Sequence, residues 1–330
     1  MDYEKVKEQF KSKYSRALVT GGAGFIGSHI IEELLDMGID VISVDNYSAG
    51  KMENIRPFLG NKHFTNVNCD ITDHKKLREF FPGVDIVFHE AASKKNICLK
   101  DPRRDLEVNG TGAYNLLSLS KEFKIKKFMH ASTGSVYGEA KLFPQNEDHP
   151  LEPVSYYGVS KLAGERYAKA FERLYNIDTT VLRYFHVYGP RQESGEYGGV
   201  VSIFIRNLIQ NERPIIFGDG NQERSFTYVK DVVKANIFTA TMDKTKGEVY
   251  NCASGINVTI NELCQSLIEI FQLKDKIQPI YKDWVLGDIK KFDISNEKLK
   301  KLGFSFEVEF EEGLRETVEW MRKHFKMESE

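Results

Sequence analysis

The stretch Ala17-Leu18-Val19-Thr20, running directly into Gly21-Gly22-Ala23-Gly24-Phe25-Ile26-Gly27, constrains this chain more than any other. An apolar run ahead of glycines at 21, 24 and 27 predicts a buried strand, a tight turn and a helix with Ile30, Ile31, Leu34 and Leu35 on its inner side. Without a Cβ, the first glycine can make the turn, the second lets a pyrophosphate approach the backbone, and the third lets the helix pack close on the strand. A glycine pattern alone is weak, but here its context is present. Val41-Ile42-Ser43-Val44 reads as the next strand and ends in Asp45, eighteen residues after Gly27. A carboxylate there can accept hydrogen bonds from the ribose hydroxyls of an adenosine and repels a 2'-phosphate, so the expected cofactor is NAD rather than NADP.

The alternation continues. A strand is expected around residues 64–69, a helix over about 74–81, a buried strand Ile86-Val87-Phe88-His89, a long helix over 103–122 and a strand Lys127-Phe128-Met129-His130-Ala131. Such βαβ succession predicts an α/β chain with a Rossmann-type doubly wound parallel sheet. Ligands in these sheets sit at the carboxyl ends of strands, so Asp70-Ile71 and Ala91-Ala92-Ser93 are expected along the cofactor cleft. His89 beside that edge reads as a hydrogen-bonded core histidine before it reads as a ligand.

Two stretches then carry the chemistry. Ser132-Thr133-Gly134-Ser135-Val136-Tyr137-Gly138 leaves a strand end, and Ser155-Tyr156-Tyr157-Gly158-Val159-Ser160-Lys161 opens a helix predicted over 156–175. Tyr157 and Lys161 would share one helix face at i and i+4. A tyrosine of pKa about 10 needs roughly three units, or about 4 kcal/mol, to reach neutrality, and a neighbouring cation typically gives about 1 to 3 units. The sequence therefore suggests that Lys161 together with a bound oxidised nicotinamide activates the phenol. On its own such a pair is more often a half-buried ring beside a solvated amine, which is why the dinucleotide signal matters.

Past the strand Thr179–Phe185 the texture changes. Gly189-Pro190, Gly195, Gly198-Gly199, Pro214 and Gly218-Asp219-Gly220 break the chain into short elements of a smaller C-terminal substrate-binding lobe. Residues 226–241 are expected to return as a helix and 248–251 as a strand, with helices near 259–271 and 311–325. The boundaries implied are 1–185 with 226–254 for the Rossmann domain and 186–225 with 255–330 for the lobe. Of Arg183, Arg191, Arg206, Arg213 and Arg224, one or two are expected to hold a diphosphate, Arg224 first. At 330 residues and a formal charge of −2 the chain can fill two lobes and offers nothing to a polyanion, so no nucleic-acid partner is expected. The charged stretch from Asp2 to Lys13 has neither a signal-peptide core nor a membrane span, and a cytoplasmic location is the expectation. Cys69, Cys98, Cys252 and Cys264 form no CxxC and read as buried thiols, with no metal site. Neither HExxH nor GxSxG occurs.

Taken together, TGGAGFIGSH, VDN ending at Asn46, HEAAS, VNGTG with Asn109, STGSVYG, YYGVSK, LRYFHVYGP and FGDGNQERSFTYVKDV resemble the extended short-chain dehydrogenase/reductase superfamily. The likeness is to its nucleotide-sugar epimerases and dehydratases of the UDP-glucose 4-epimerase type, and it covers almost the whole chain. It implies that Tyr157 removes a proton from the sugar O4 while hydride passes from C4 to NAD, and that the 4-keto sugar is reduced again on its other face. It also implies that Thr133 hydrogen-bonds O4, with Ser132 beside it, and that Lys161 holds the nicotinamide ribose. Lys94 matches a lysine that contacts cofactor and substrate. A homodimer is implied, built from the helices over 103–122 and 156–175.

The departures from the pattern bear on the reaction. Dehydratases of the family read STDEVYG, whereas Gly134 and Ser135 stand here and have no protons to trade at neutral pH. Ser135 also lacks the Glu of a decarboxylase. His186 replaces the Asn that usually touches the substrate diphosphate, and Val285 replaces an Arg. The segment from Asp288 to Ser295 is shorter than usual and leaves Lys290 and Lys291 without a matching position. Two outcomes stay open: a nucleotide-sugar 4-epimerase that keeps its NAD, or an oxidoreductase that releases a 4-keto sugar.

Overall fold

The computed structural model describes residues 1–93, 95–195, 198–274, 276–284 and 293–327. Its centre is a parallel sheet of seven strands: β1 (Arg16–Thr20), β2 (Asp40–Asp45), β3 (Phe64–Asn68), β4 (Ile86–His89), β5 (Lys127–Thr133), β6 (Thr179–Tyr184) and β7 (Glu248–Cys252). They are ordered β7-β6-β5-β4-β1-β2-β3. The chain starts in the middle and winds outward both ways, which puts the β1 and β4 ends at the reversal of strand order where such sheets bind ligands.

Alternation along each strand feeds two cores. Val19, Phe88, Met129 and Leu182 face one layer, where they meet α1 (Tyr3–Lys13), α2 (Phe25–Asp36) and, later in the chain, the helix Val229–Thr241. Leu18, Val87, Phe128 and Val181 face the other, against α3 (Ala113–Glu122) and α4 (Tyr156–Tyr175). The amino-terminal helix is capped by Asp2, which accepts from the Lys5 amide, and it buries Val6 and Phe10 against the sheet layer.

The helix expected over 103–122 is present as one continuous helical run from Pro102 to Glu122, α-helical over Pro102–Leu106 and α3 and widened to a π-helical turn at Glu107–Gly112 between them. Asn109 turns inward there, accepting from the Ser93 amide and donating to Asp105 and Ser160, while a Cβ on Gly112 would stand 2.5 Å from Ile71 Cδ1. The helical ladder widens to let that side chain and that close contact in. The helix expected over 74–81 stops at Arg78, since Pro82 disfavours a helical Phe81. The helix expected from Phe226 begins at Val229, because Thr227–Tyr228 first pairs in parallel with Val187–Tyr188.

A third core joins Phe204, Ile205, Leu263, Leu267 and Leu314. Around it lie the short pairings Ile215–Phe217 with Ile280–Lys282 and Glu223–Ser225 with Asn257–Thr259, and the helices Val200–Ile209, Ile260–Ile270 and Phe310–Met327. Thr259 and Glu262 close a reciprocal cap at the start of Ile260–Ile270. Among the described residues no helix is long and apolar enough to cross a membrane.

Phe88, fully buried at the sheet's centre, tests the layered packing. Phe88→Ala should lower unfolding stability by about 3–5 kcal/mol, read from the denaturant midpoint.

Candidate functional site

A cavity of ≈ 1490 Å³ runs along the carboxyl ends of the strands. One end is built by the β1–α2 turn. Gly21 has φ +66°, and a Cβ on Gly27 would stand 2.2 Å from the Gly21 carbonyl oxygen, so only glycine lets the helix start this close to the strand. The helix is entered through Gly24, makes no side-chain cap and has no acidic residue in its first turn, so its amino-terminal amides and positive dipole end are left for an anion. Gly21, Gly24, Phe25, Ile26 and Gly27 all line the cavity.

Asp45 lies beyond this turn and is buried. Its carboxylate accepts from the Ala23 amide at 3.0 Å and the Tyr47 amide at 2.7 Å, and burial raises its pKa against those two bonds. Each carboxylate oxygen still has a lone pair for a ribose hydroxyl. Asn46 donates to Asp70 at 2.7 Å, and Arg104 also pairs with Asp70. Burial would raise the Asp70 carboxyl, but hydrogen bonds from Thr72, Asn46 and Arg104 outweigh it and hold it at about 2. Asp45, Asn46, Asp70, Ile71, Ala91 and Ala92 line the cavity as expected. An NAD dinucleotide fits this end: uncapped amides for a pyrophosphate, and a carboxylate beyond them for an adenosine ribose.

The other end carries Ser132, Tyr157, Lys161, Tyr184 and Glu90. Ser155 caps α4 by accepting from the Gly158 amide, and the helix sets Tyr157 and Lys161 one turn apart. Lys161 is buried and donates to the Ala131 carbonyl at 2.6 Å. Burial lowers it to about 8 against the opposing charges of Glu90, Glu165 and Asp105. Burial pushes the Tyr157 phenol up to about 12, the Thr133 hydroxyl pulls the other way, and Asp105 adds to the rise. The Lys161 ammonium is turned to the Ala131 carbonyl, and among the protein's own groups desolvation outweighs the i,i+4 pairing.

Thr133 does not line the cavity; its hydroxyl also accepts from the Ser135 amide at 3.2 Å. Ser132 does line it, yet its hydroxyl is given to Glu165 at 2.5 Å. Glu165 in turn is held by Arg183, whose Nη1 donates to the Tyr137 hydroxyl. Arg183 is thus part of a buried brace behind β5, not a diphosphate ligand. Asn109 is likewise structural, tying the wide turn to α4 through Ser160.

Among the arginines, the structure favours Arg191 over Arg224. Arg191 lines the cavity and donates through Nη2 to Glu32 of α2 at 2.7 Å, while its buried Nη1 has no hydrogen-bond partner among the described residues. Arg224 sits buried in Glu223–Ser225, donates to the Glu223 carbonyl and does not line the cavity. His186 also stands off it, its ring 5.9 Å from that of Phe226. Lys94, Val285, Lys290 and Lys291 lie outside the described residues. His89 is a core histidine, fully buried with Nδ1 2.9 Å from the Thr20 hydroxyl.

Glu90 and Tyr184 went unread in the sequence. The Tyr184 hydroxyl donates to Glu90 at 3.0 Å, and burial lifts that carboxyl to about 7. The available signal was an acidic residue at a strand end, between His89 and Ala91.

Comparison with known proteins agrees with this geometry. Residues 17–253 match the model of the NAD dependent epimerase/dehydratase family. A putative UDP-glucose 4-epimerase of Methanocaldococcus jannaschii is 40% identical over 93% of this chain and 98% of its own length. The UDP-glucose 4-epimerase of Thermotoga maritima, solved with UDP-glucose, is 40% identical with a TM-score of 0.88, over 94% of this chain and 99% of that one. A UDP-N-acetylglucosamine 4-epimerase of Methanobrevibacter ruminantium, solved with UDP-N-acetylmuramic acid, is 36% identical with a TM-score of 0.88 and the same coverage.

Gly27→Ala should abolish saturable NAD binding in a calorimetric titration, because its methyl group would push the helix amides off the turn.

Proposed function

This chain belongs to the NAD-dependent epimerase/dehydratase family, and we propose that it interconverts the C4 epimers of a nucleotide sugar of the UDP-hexose or UDP-N-acetylhexosamine type, with no net consumption of NAD. NAD, when bound, accepts a hydride from C4 of the sugar and returns it. Tyr157 receives the proton of the C4 hydroxyl in the oxidising half and gives it back in the reducing half. A phenol cannot take a second proton, so the acceptor is the phenolate: burial holds the phenol at about 12, and the Lys161 ammonium together with the positive charge that an oxidised nicotinamide would bring is what draws it down. Thr133 already hydrogen-bonds the phenol and is the donor that steadies that oxygen. Lys161 gives one of its three N–H groups to Ala131 and keeps two for the hydroxyls beside Tyr157. Arg191, at the entry to the second lobe, offers its remaining guanidinium edge to a phosphate.

One packing observation carries the choice of reaction. A Cβ on Gly134 would stand 2.3 Å from a ring carbon of Phe185, which is buried and stacked on Tyr137. The place where a dehydratase keeps its carboxylic acid is filled by a phenyl ring. Ser135 offers a hydroxyl where a decarboxylase has a carboxylate. A 4-keto sugar formed here has neither group to carry it onward, which supports return of the hydride.

The lobe formed by residues 186–225 and 255–330 is taken as the sugar-nucleotide side, and 1–185 with 226–254 as the cofactor side. We also propose a homodimer. Leu116, Leu117, Ala113 and Phe171 are consumed by the core, but Leu106, Tyr114, Tyr156, Val159, Tyr167 and Leu174 stay exposed on Pro102–Leu106, α3 and α4. An apolar face spread over neighbouring helices suits a second copy of itself. Four free, buried cysteines suit a reducing cytoplasm.

Incubation with a panel of UDP- and GDP-sugars should yield the C4 epimer without stoichiometric NADH absorbance; a released 4-keto sugar with stoichiometric NADH would establish a dehydrogenase instead. Tyr157→Phe should reduce turnover by about 10²-fold or more while NAD affinity stays within a few-fold. Light scattering at micromolar concentration should give a dimer mass, and Leu174→Glu together with Tyr167→Glu should shift it to the monomer.

A further inference from the structure

The β4–β5 register pairs His89 with His130, so Glu90 follows at the sheet edge beside Ala131. Ala131 is the residue whose carbonyl holds Lys161. From the other side the Tyr184 hydroxyl, itself taking a hydrogen bond from Asn236 at 2.8 Å, donates to Glu90 Oε1. Glu90, Ala131, Lys161 and Tyr184 all line the cavity. We infer that Glu90 is a positioning residue of the reaction: its carboxylate, fixed by Tyr184 at the end of β4, is the counter-charge that keeps the buried Lys161 an ammonium. The inference rests on reading Lys161 as the partner of Tyr157.

The neighbouring charges support this assignment. Glu165 faces Lys161 from the same helix, but it already neutralises Arg183 and accepts from Ser132. Asp105, on Pro102–Leu106, is taken up by Ser160 and Asn109. His89 and His130, on β4 and β5, are kept neutral by burial and by Lys161 itself, and the Cys252 thiol on β7 is pushed up by burial. Tyr157 and Tyr184 are phenols at neutral pH, both raised by burial. Among the described residues Glu90 has no cation within ion-pair distance, so its charge reaches Lys161 across the strand ends rather than in contact, and it heads the influences that hold Lys161 up against burial.

The sign follows. Lys161 is an ammonium below its depressed pKa and loses its proton above it. Removing the Glu90 charge lets burial act unopposed, so Lys161 deprotonates at lower pH. The effect operates above the raised pKa of Glu90, where the carboxylate is charged; below it Lys161 is protonated in either case.

Glu90→Gln keeps an acceptor for Tyr184 and removes the charge. Competitive labelling of the purified protein with acetic anhydride, read by mass spectrometry across pH, gives the Lys161 midpoint without reference to activity. That midpoint should fall by about one pH unit, and the alkaline limb of kcat/KM should move with it. Glu90→Asp should restore most of the shift. Should the Gln variant fail to fold, Tyr184→Phe tests the same pair: losing its hydrogen-bond donor, Glu90 stays protonated to higher pH and the Lys161 midpoint again falls. An unmoved Lys161 midpoint in the folded variants overturns the inference. A midpoint that moves while the kcat/KM profile stays put upholds the electrostatic coupling and overturns the role given to Lys161 in turnover.

Discussion

Helix α2 begins where it does because two backbones touch. Gly27 lies so close to the Gly21 carbonyl that no side chain can stand between them, and Gly21 turns through a positive φ to make the approach. That contact holds a helix end against the tip of the central strand, with the amides of its first turn facing the cleft rather than a capping side chain. Strand order then does the rest. The chain winds outward from β1 in both directions, and every strand end that matters, at Asp45, Asp70, Glu90 and Ser132, is delivered to one cavity.

At the reacting end, burial decides the electrostatics. It moves Tyr157 up and Lys161 down, in each case toward the neutral form. Helical spacing alone suggests the opposite for the tyrosine, because a cation four residues away favours phenolate. The lysine's hydrogen bond goes across to β5, and the groups facing the phenol are the Thr133 hydroxyl and the Asp105 carboxyl. Burial therefore sets what the positive charges around the phenol have to overcome before it can act as a base.

What the sequence revealed was local. Strand, turn and helix at Ala17–Leu35, the α4 helix with Tyr157 and Lys161, and the carboxylate ending β2 are each written in a few neighbouring residues, and each lies in the structure as read. What it concealed depended on distant partners. The widening of the helix over 103–122 at Glu107–Gly112 follows from Asn109 meeting Ser93 and Ser160, and no periodicity within the helix announces it. Arg224 and Arg191 look alike in the sequence as arginines near glycines. Only the fold buries the first in a strand and turns the second toward Glu32 and the cavity. Glu90 was hidden for the same reason, since its meaning comes from Lys161 and Tyr184, some 70 and 94 residues further along.

The same dependence on distant packing governs the outcome of the chemistry. Arg183 and Glu165 brace the end of β5 from behind, and Tyr137 links that brace to Asn251 on β7. Phe185, stacked on Tyr137, is thereby held over Gly134. Placing an acidic side chain at 134 means displacing a ring that the brace fixes, so exchanging one residue in this loop cannot by itself convert the site to elimination. On the proposed reaction, the fate of the sugar intermediate is set by the packing of Phe185 and Tyr137 beneath Gly134. In a fold where oxidation at C4 is shared by many reactions, the packing beneath the β5 loop determines which of them can follow.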